Sequence, residues 1–407
     1  MNNPETYDIA IVGGGFAGTA LALALHSLSK CQLSLVLIDK KRDAQNADLR
    51  ASAIAAGARR LLQKIEAWPN ENLAQPVQSM RITDSALKDG VRPTLLNFIS
   101  TADGDGTFAH MIENRYLMAT LTNALQNSGI TQMNAAVAKT EINGQSRVLH
   151  LENGETVSAR LAAACDGAHS KLREAANIKM IGRDYDQAAL VTTITHEEPH
   201  HGEAIEHFLE AGPFASLPLT DDTQGRHRSS LVWTERKPDA ARLLQSSSDE
   251  LNAEIAARLG YHWDKIEIID KVQSFPLSIR LAKQFTAERL ALVGDAAHVI
   301  HPIAGQGLNL GFRDAAALAE VIVDALRLGQ DFGTADILAR YQQWRRFDTL
   351  MMGAATDGLN ALFSKQSILL RGLRSLGLSI VDRTAPLKDF FMQSAAGDLG
   401  DVPRLMR

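Results

Sequence analysis

The chain has 407 residues, 45% hydrophobic and 22% charged, with a formal net charge of −5. Such a length exceeds what one core usually serves, so two domains are expected, with the composition of a soluble globular enzyme. The acidic balance and the lack of a polybasic run exclude a nucleic-acid partner, and no run approaches the ~18 apolar residues that span a bilayer.

Met1 to Thr6 is short, polar and acidic, without a basic or cleavable apolar segment, so a cytoplasmic location is expected. Tyr7 to Val12 reads as a buried strand. Gly13-Gly14-Gly15-Phe16-Ala17-Gly18 follows, then an Ala/Leu-rich helix over Thr19 to Ser29, then a strand over Leu33 to Ile38 that ends at Asp39. Strand, Gly-x-Gly-x-x-Gly, helix, strand and acid form the dinucleotide fingerprint in its required setting. Gly13 permits the tight turn, Gly15 admits the pyrophosphate, Gly18 lets helix pack on strand, and Asp39 accepts from ribose hydroxyls. The fingerprint by itself does not separate NAD from FAD. Cys31 and Cys165 lie in apolar, strand-like runs and read as buried small hydrophobes.

Past Asp39 the chain leaves the simple βα repeat. Arg50 to Ile54 precedes a helix over Ala55 to Ile65, β-like segments occupy Val77 to Thr83 and Thr94 to Phe98, and Ile112-Glu113-Asn114-Arg115 opens another helix. Leu161 to Cys165 is an apolar strand that ends in Asp166-Gly167, with a basic helix start running to Arg173. From Asp184 to Arg280 apolar and polar residues alternate, over 190–195, 204–209, 214–219, 229–234 and 266–279. That pattern predicts an antiparallel sheet with one face covered, a candidate wall for a substrate pocket. His196, His200 and His201 sit among Glu197, Glu198 and Pro199 as a polar loop.

A strand from Arg289 to Val293 ends in Gly294-Asp295. A Pro- and Gly-rich loop follows, and an apolar helix begins near Gly307. A helix start with free N–H groups suits an anion or an electron-rich ring edge. His298 and His301 have no Cys, His or carboxylate cluster around them, so no metal is expected and both read as packing or hydrogen-bonding groups of the loop. The C-terminus reads as helical. Tyr341, Trp344, Phe347, Leu350 and Met351 form an apolar stripe over 337–363, and 366–381 interleaves apolar residues with Arg371 and Arg374. The second segment suits a membrane surface, a partner, or the cap of its own domain. No Ser-His-Asp order or P-loop competes, so the chemistry falls to a cofactor. With one Rossmann fingerprint, a nicotinamide reductant has no dedicated domain and must visit.

Gly13-x-Gly15-x-x-Gly18, Asp166-Gly167 and Gly294-Asp295 together make the chain resemble the class A flavoprotein aromatic hydroxylases. More narrowly, His298-x-x-x-Pro302-x-Ala304-Gly305-Gln306-Gly307-x-Asn309-x-Gly311 resembles the ubiquinone-biosynthesis hydroxylase family. The resemblance implies an α/β, para-hydroxybenzoate-hydroxylase-like fold. A discontinuous Rossmann-like FAD-binding domain (1–75, 107–180 and 280–335) would be joined by a β-sheet substrate domain (76–106 and 181–279) and a helical C-terminal region (336–407).

It further implies that Gly13, Gly15, Ala17 and Gly18 hold the FAD pyrophosphate and that Asp39 binds the adenosine ribose, with Lys40 beside it. Arg50 and Arg115 would meet the phosphate side, Val137 would offer its backbone to adenine, and Asp295 would bind the ribityl chain. Pro302, Gly305, Gly307, Leu308 and Asn309 would line the isoalloxazine, with Pro302, Gly305 and Gln306 as the reactive-side loop. Asp166 and Arg173 would support the groove and a visiting NAD(P)H. The implied activity is FAD- and O2-dependent ring hydroxylation of a lipophilic prenylated phenol or quinol through a flavin C4a-hydroperoxide. Implied partners are the membrane surface, peripherally at the inner membrane, and other quinone-biosynthesis proteins. A hydroxylase of a soluble aromatic, a flavin reductase of prenyl chains and a structural flavoprotein stay open as alternatives.

Overall fold

The computed structural model describes residues 5–40, 48–84, 94–99, 107, 109–260, 265–301, 305–363 and 400–407. Pro302, Ala304 and the 366–381 segment lie outside the described residues. The helices described are α1 (Phe16–Leu28), α2 (Ala56–Lys64), α3 (Asn114–Asn127), α4 (Lys171–Ala175), α5 (Lys237–Leu243), α6 (Ser248–Leu259), α7 (Gln306–Arg327) and α8 (Ala335–Phe363).

The nucleotide-type sheet runs Thr286–Ala287, Leu290–Leu292, Thr156–Ala164, Glu5–Val12, Leu35–Ile38 and Thr131–Met133. From Leu290–Leu292 to Thr131–Met133 every pairing is parallel. Ile9, Ala10 and Ile11 are wholly buried, so both faces of the sheet are covered, which is why these strands read as unbroken apolar runs. Two strands far apart in sequence, Glu5–Val12 and Leu290–Leu292, thus flank the same central strand, Thr156–Ala164. The Gly-rich turn and the Gly294-Asp295 turn leave the sheet at the same edge, where open α/β sheets bind ligands.

The larger, mainly antiparallel sheet is ordered His298–Val299, Gln273–Ala282, Met180–His196, His227–Arg236, Gly212–Leu219, Glu203–Leu209, Ser79–Asp84 and Thr94–Ile99. Its two faces differ. On one, Leu190, Ile194, Ile205, Phe214, Leu231 and Trp233 are buried in a core with Leu243, Leu251 and Ile255 of α5 and α6. On the other, Ile82, Ala215, Val232, Phe275 and Ile279 are only half-buried. The expected one-sided sheet is present, but its cover comes from two helices within a stretch that reads as strands. The missed signal is the capping box at the start of α6, where Ser247 and Glu250 satisfy each other's backbone N–H groups.

A three-stranded sheet of Ala51–Ala55, Ala109–Glu113 and Ala74–Val77 bridges the two. Ala51 and Ala53 pack with Val77, Met111, Ala204 and Leu217.

Three expectations change. Cys31 is exposed, in a turn just past α1 where its φ is +63°, and so is not a core residue. His196 is buried, with Nδ1 at 2.6 Å from the Glu198 carbonyl and Nε2 at 3.0 Å from Ser229 Oγ. The stripe on α8 divides: Tyr341 is wholly buried and donates to the Leu292 carbonyl at 2.7 Å, whereas Phe347, Leu350 and Met351 are exposed. A long helix packed along one side cannot bury residues that turn away from that side.

Candidate active site

The Gly-rich turn is built for close approach. Gly13 has φ +105°, and a Cβ there would stand 2.3 Å from the Cys165 carbonyl oxygen. A Cβ on Gly18 would stand 1.9 Å from the Gly13 carbonyl oxygen. Only glycine fits at both, which locks the start of α1 against the end of Thr156–Ala164. Gly15 is the N-cap of α1; no side chain caps that end and its first turn holds no acid. Asp39 lies over the turn, close enough that a Cβ on Gly14 would be 3.0 Å from its Oδ2. Its backbone N–H is tied to the Met133 carbonyl at 3.1 Å, and its carboxylate has no hydrogen-bond partner among the described residues. Lys40 beside it is exposed, and Val137 is buried at the start of the neighbouring strand Val137–Asn143.

The distant second fragment meets this turn through three small residues. A Cβ on Gly294 would stand 3.3 Å from the Ala17 Cβ, and one on Gly311 would stand 3.4 Å from it. Ala17 therefore also serves packing: its methyl is the spacer between α1, the Gly294 turn and α7. Asp295, in that turn, is exposed to solvent yet walled by protein. Burial pushes its carboxyl up, while His298 and Arg50 pull it back. Arg50 forms two bonds to Asp48, of 2.8 and 2.7 Å, and lies 4.7 Å over the Phe275 ring. Asp48 also accepts from Asn114 at 2.8 Å. Sequence reading found Arg50 but not the Asp48–Asn114 brace that aims it.

α7 starts at Gly305, at φ +63°, with no side-chain cap and no acid in its first turn. A Cβ on Gly307 would meet nothing within 4 Å, so this end faces open space. Leu308 is half-buried against the core. The Asn309 side chain is taken up by backbone: Oδ1 accepts from Ala55 N–H at 2.9 Å, and Nδ2 donates to the carbonyls of Ala53 at 2.8 Å and Gly305 at 3.3 Å. It pins the loop to the bridging sheet, so what it can offer a ring is its backbone.

Behind the loop lies a buried charge network absent from the sequence reading. Asp314 on α7 accepts from Gly294 N–H at 3.0 Å, His298 Nε2 at 2.6 Å and Arg345 Nε at 2.7 Å, and all three side chains are essentially inaccessible. Burial pushes the Asp314 carboxyl up, but His298 and Arg345 outweigh it and hold it below the usual range. Because an ionised carboxylate only accepts, the His298 proton sits on Nε2. His301 is wholly buried, its ring nitrogens without a partner among the described residues, edge-on to Tyr185 at 5.3 Å; burial lowers it to about 4, so it is neutral.

Asp166 caps α4, accepting from Lys171 N–H at 2.8 Å, and its Oδ1 is buried without a partner among the described residues. Arg173 is buried and donates to the Ala296 carbonyl at 3.0 Å. That bond supports the Asp295 turn and leaves no exposed guanidinium for a visiting NAD(P)H. Arg115 is paired with Glu113 at 2.7 Å and stacks on Tyr116 at 4.8 Å.

A Gly-only turn leading into one uncapped helix, a free carboxylate beside it, and a second uncapped helix brought to the same edge of the sheet suit a flavoprotein of the class that binds FAD across one Rossmann sheet. The comparisons agree. A family model described as FAD binding domain matches residues 6–348. The chain is 40% identical to the ubiquinone hydroxylase UbiL of Rhodospirillum rubrum, over 98% of this chain and 92% of that one. It is 33% identical to the 3-demethoxyubiquinol 3-hydroxylase of Escherichia coli, over 98% and 100%. The chain belongs to the FAD-dependent ubiquinone-biosynthesis hydroxylase family. In fold it is similar to the p-nitrophenol 4-monooxygenase PnpA of Pseudomonas putida, with a TM-score of 0.76 at 18% identity, over 98% of this chain and 100% of that one.

Proposed function

We propose that the protein hydroxylates the aromatic ring of a polyprenylated phenol or quinol on the route to ubiquinone, with FAD, O2 and a visiting NAD(P)H. The observation that carries this reading is the meeting of Ala17, Gly294 and Gly311. It sets Asp295 and the open start of α7 beside the half-covered apolar face of the larger sheet. Bound FAD supplies the activation of O2 and delivery of one oxygen atom. The chain supplies position, dryness and charge. Gly13, Gly15 and Gly18, with the start of α1, would hold the pyrophosphate. Asp39 would hold the ribose with Lys40 near, the Val137 backbone would meet adenine, and Arg50 and Arg115 would meet the phosphate side. Asp295 would hold the ribityl chain. The backbone of Gly305, Gly307, Leu308 and Asn309 would meet the ring edge, and Pro302 and Gln306 would line its reactive side. Asp166 would steady the groove through α4.

Val232, Phe275 and Ile279 would exclude water from the reacting ring. The nucleotide-type sheet takes its strands from residues 5–38, 131–164 and 286–292 and the larger sheet from 79–99, 180–282 and 298–299, which supports the discontinuous FAD domain and inserted substrate domain. No helix among the described residues is long and apolar enough to cross a membrane. A lipid-tailed substrate calls for a peripheral contact instead, and the exposed Phe347, Leu350 and Met351 on α8 support one.

Quinone profiling tests the reading. A strain lacking this chain should accumulate a prenylated intermediate short of one ring hydroxyl, and wild type should restore the quinone where Asp295→Ala does not. An unchanged quinone profile in the deletion strain would overturn the substrate. Full rescue by a variant that has lost its FAD would overturn the chemistry.

A further inference from the structure

Glu206 lies in the strand Glu203–Leu209, in the middle of the larger sheet. It is 7% exposed, and its carboxyl makes no hydrogen bond or ion pair among the described residues. Side chains alternate along a strand, and residues directly opposite share a face. Ile205 and Leu209 point into the core covered by α5 and α6, so Glu206 points the other way. Its row across the sheet is Leu96, Ile82, Glu206, Ala215, Val232 and Val191. One carboxyl thus stands in an otherwise apolar row, on the half-covered face.

That face touches the flavin site on two sides. Ala204, two residues before Glu206 on the same face, packs with Ala53. Ala53 in turn takes the Asn309 hydrogen bond that fixes the start of α7. Farther along the face, Phe275 packs with Val191 and stacks under Arg50, beside Asp295. A buried carboxyl without a partner costs stability, and an apolar residue would cost nothing there. Burial alone raises it to about 7, so above that pH it stands as a bare carboxylate. A carboxylate there has acceptor capacity for an O–H donor, and the aromatic substrate carries one.

We propose that Glu206 recognises the ring hydroxyl of the substrate, accepting its hydrogen bond and then its proton. In that step the phenolic O–H bond breaks, its electron pair stays on oxygen and enriches the ring, and an O–H bond forms on the carboxyl. No oxidant is consumed. The apolar side chains of Ile82, Ala215 and Val232 in its row hold the ring, and the carboxyl among them fixes its orientation.

The inference rests on the phenolic substrate proposed above, and the test separates the two. FAD-loaded protein is titrated with 2-geranylphenol and with its O-methyl ether, following flavin fluorescence, for wild type, Glu206→Gln and Glu206→Leu. Wild type should bind the phenol at least about 10-fold more tightly than the ether. Glu206→Leu should bind the two alike, keep its FAD, and lose kcat/KM for the phenol. Glu206→Gln, with the same shape, should keep part of the preference and lose kcat. A Glu206→Leu protein that keeps both the preference and the wild-type kcat/KM overturns the role of Glu206. FAD-loaded wild type that binds neither ligand overturns the phenolic substrate, and the role of Glu206 with it.

Discussion

His298 Nε2 stands 2.6 Å from Asp314 Oδ2, and the pair ties the Asp295 turn to α7 from behind. The same carboxylate holds Gly294 N–H and, through Arg345, reaches α8. Three segments distant in sequence therefore depend on one buried charge.

Asp314→Asn should leave the buried Arg345 with Asp348 as its one carboxylate partner among the described residues and loosen the Gly294 turn. Removing one partner of a buried ion pair costs about 3 to 5 kcal/mol. Thermal unfolding should shift down, and the FAD content of purified protein should fall with it. Unchanged FAD content would mean that the network supports stability without shaping the site. In wild type the stability due to the lowered Asp314 pKa is present at neutral pH and lost as pH falls through its folded value, below the ordinary carboxylate range.

Glu206 should give the opposite dependence. Its folded pKa is raised from 4.5 to about 7, so its contribution is fully present below 4.5 and lost as pH rises through 7. The cost of the buried carboxylate above pH 7 is about 3 kcal/mol. His196 and His301, both lowered from 6.5 to about 4, favour the folded state as pH rises over the same window and would mask it in wild type alone. The difference between wild type and Glu206→Gln isolates Glu206. The two should unfold alike at pH 4, and Glu206→Gln should be the more stable at pH 8. Equal Tm values at both pH values would place Glu206 in contact with water.

Phe347, Leu350 and Met351 lie within about one turn of each other on α8, and all are exposed. Sedimentation with vesicles of anionic phospholipid should capture the wild type, and Phe347→Glu with Met351→Glu should reduce the bound fraction several-fold while FAD content holds. Equal capture of wild type and the double variant would remove α8 from any membrane contact.

The nucleotide half of the site was legible because its signals are local. Glycine spacing, unbroken apolar strands and the acid at Asp39 each reflect a backbone demand that neighbouring residues must meet. Asp295 and the start of α7 were legible for the same reason. What escaped depends on contacts between distant positions. Asp314 inside a helix reads as a surface acid, and nothing near it names His298 or Arg345 as its partners. Asn309 reads as a ring-lining group, yet its side chain is spent on Ala53 and Ala55, more than two hundred residues upstream. Helices α5 and α6 were hidden by strand-like alternation on both sides, although Ser247 and Glu250 marked where one begins. Glu206 looks like any polar position of a strand until the register places it in an apolar row.

The central claim is transfer of oxygen from O2 to a prenylated ring at this flavin site. The most direct measurement supplies the FAD-loaded protein with NAD(P)H, a prenylphenol and isotopically heavy O2, and reads the product by mass spectrometry. The account predicts one heavy oxygen on the ring, in a yield that disappears with Asp295→Ala. Steady consumption of NAD(P)H and O2 with peroxide as the sole product, and no heavy oxygen on any prenylphenol offered, would contradict it.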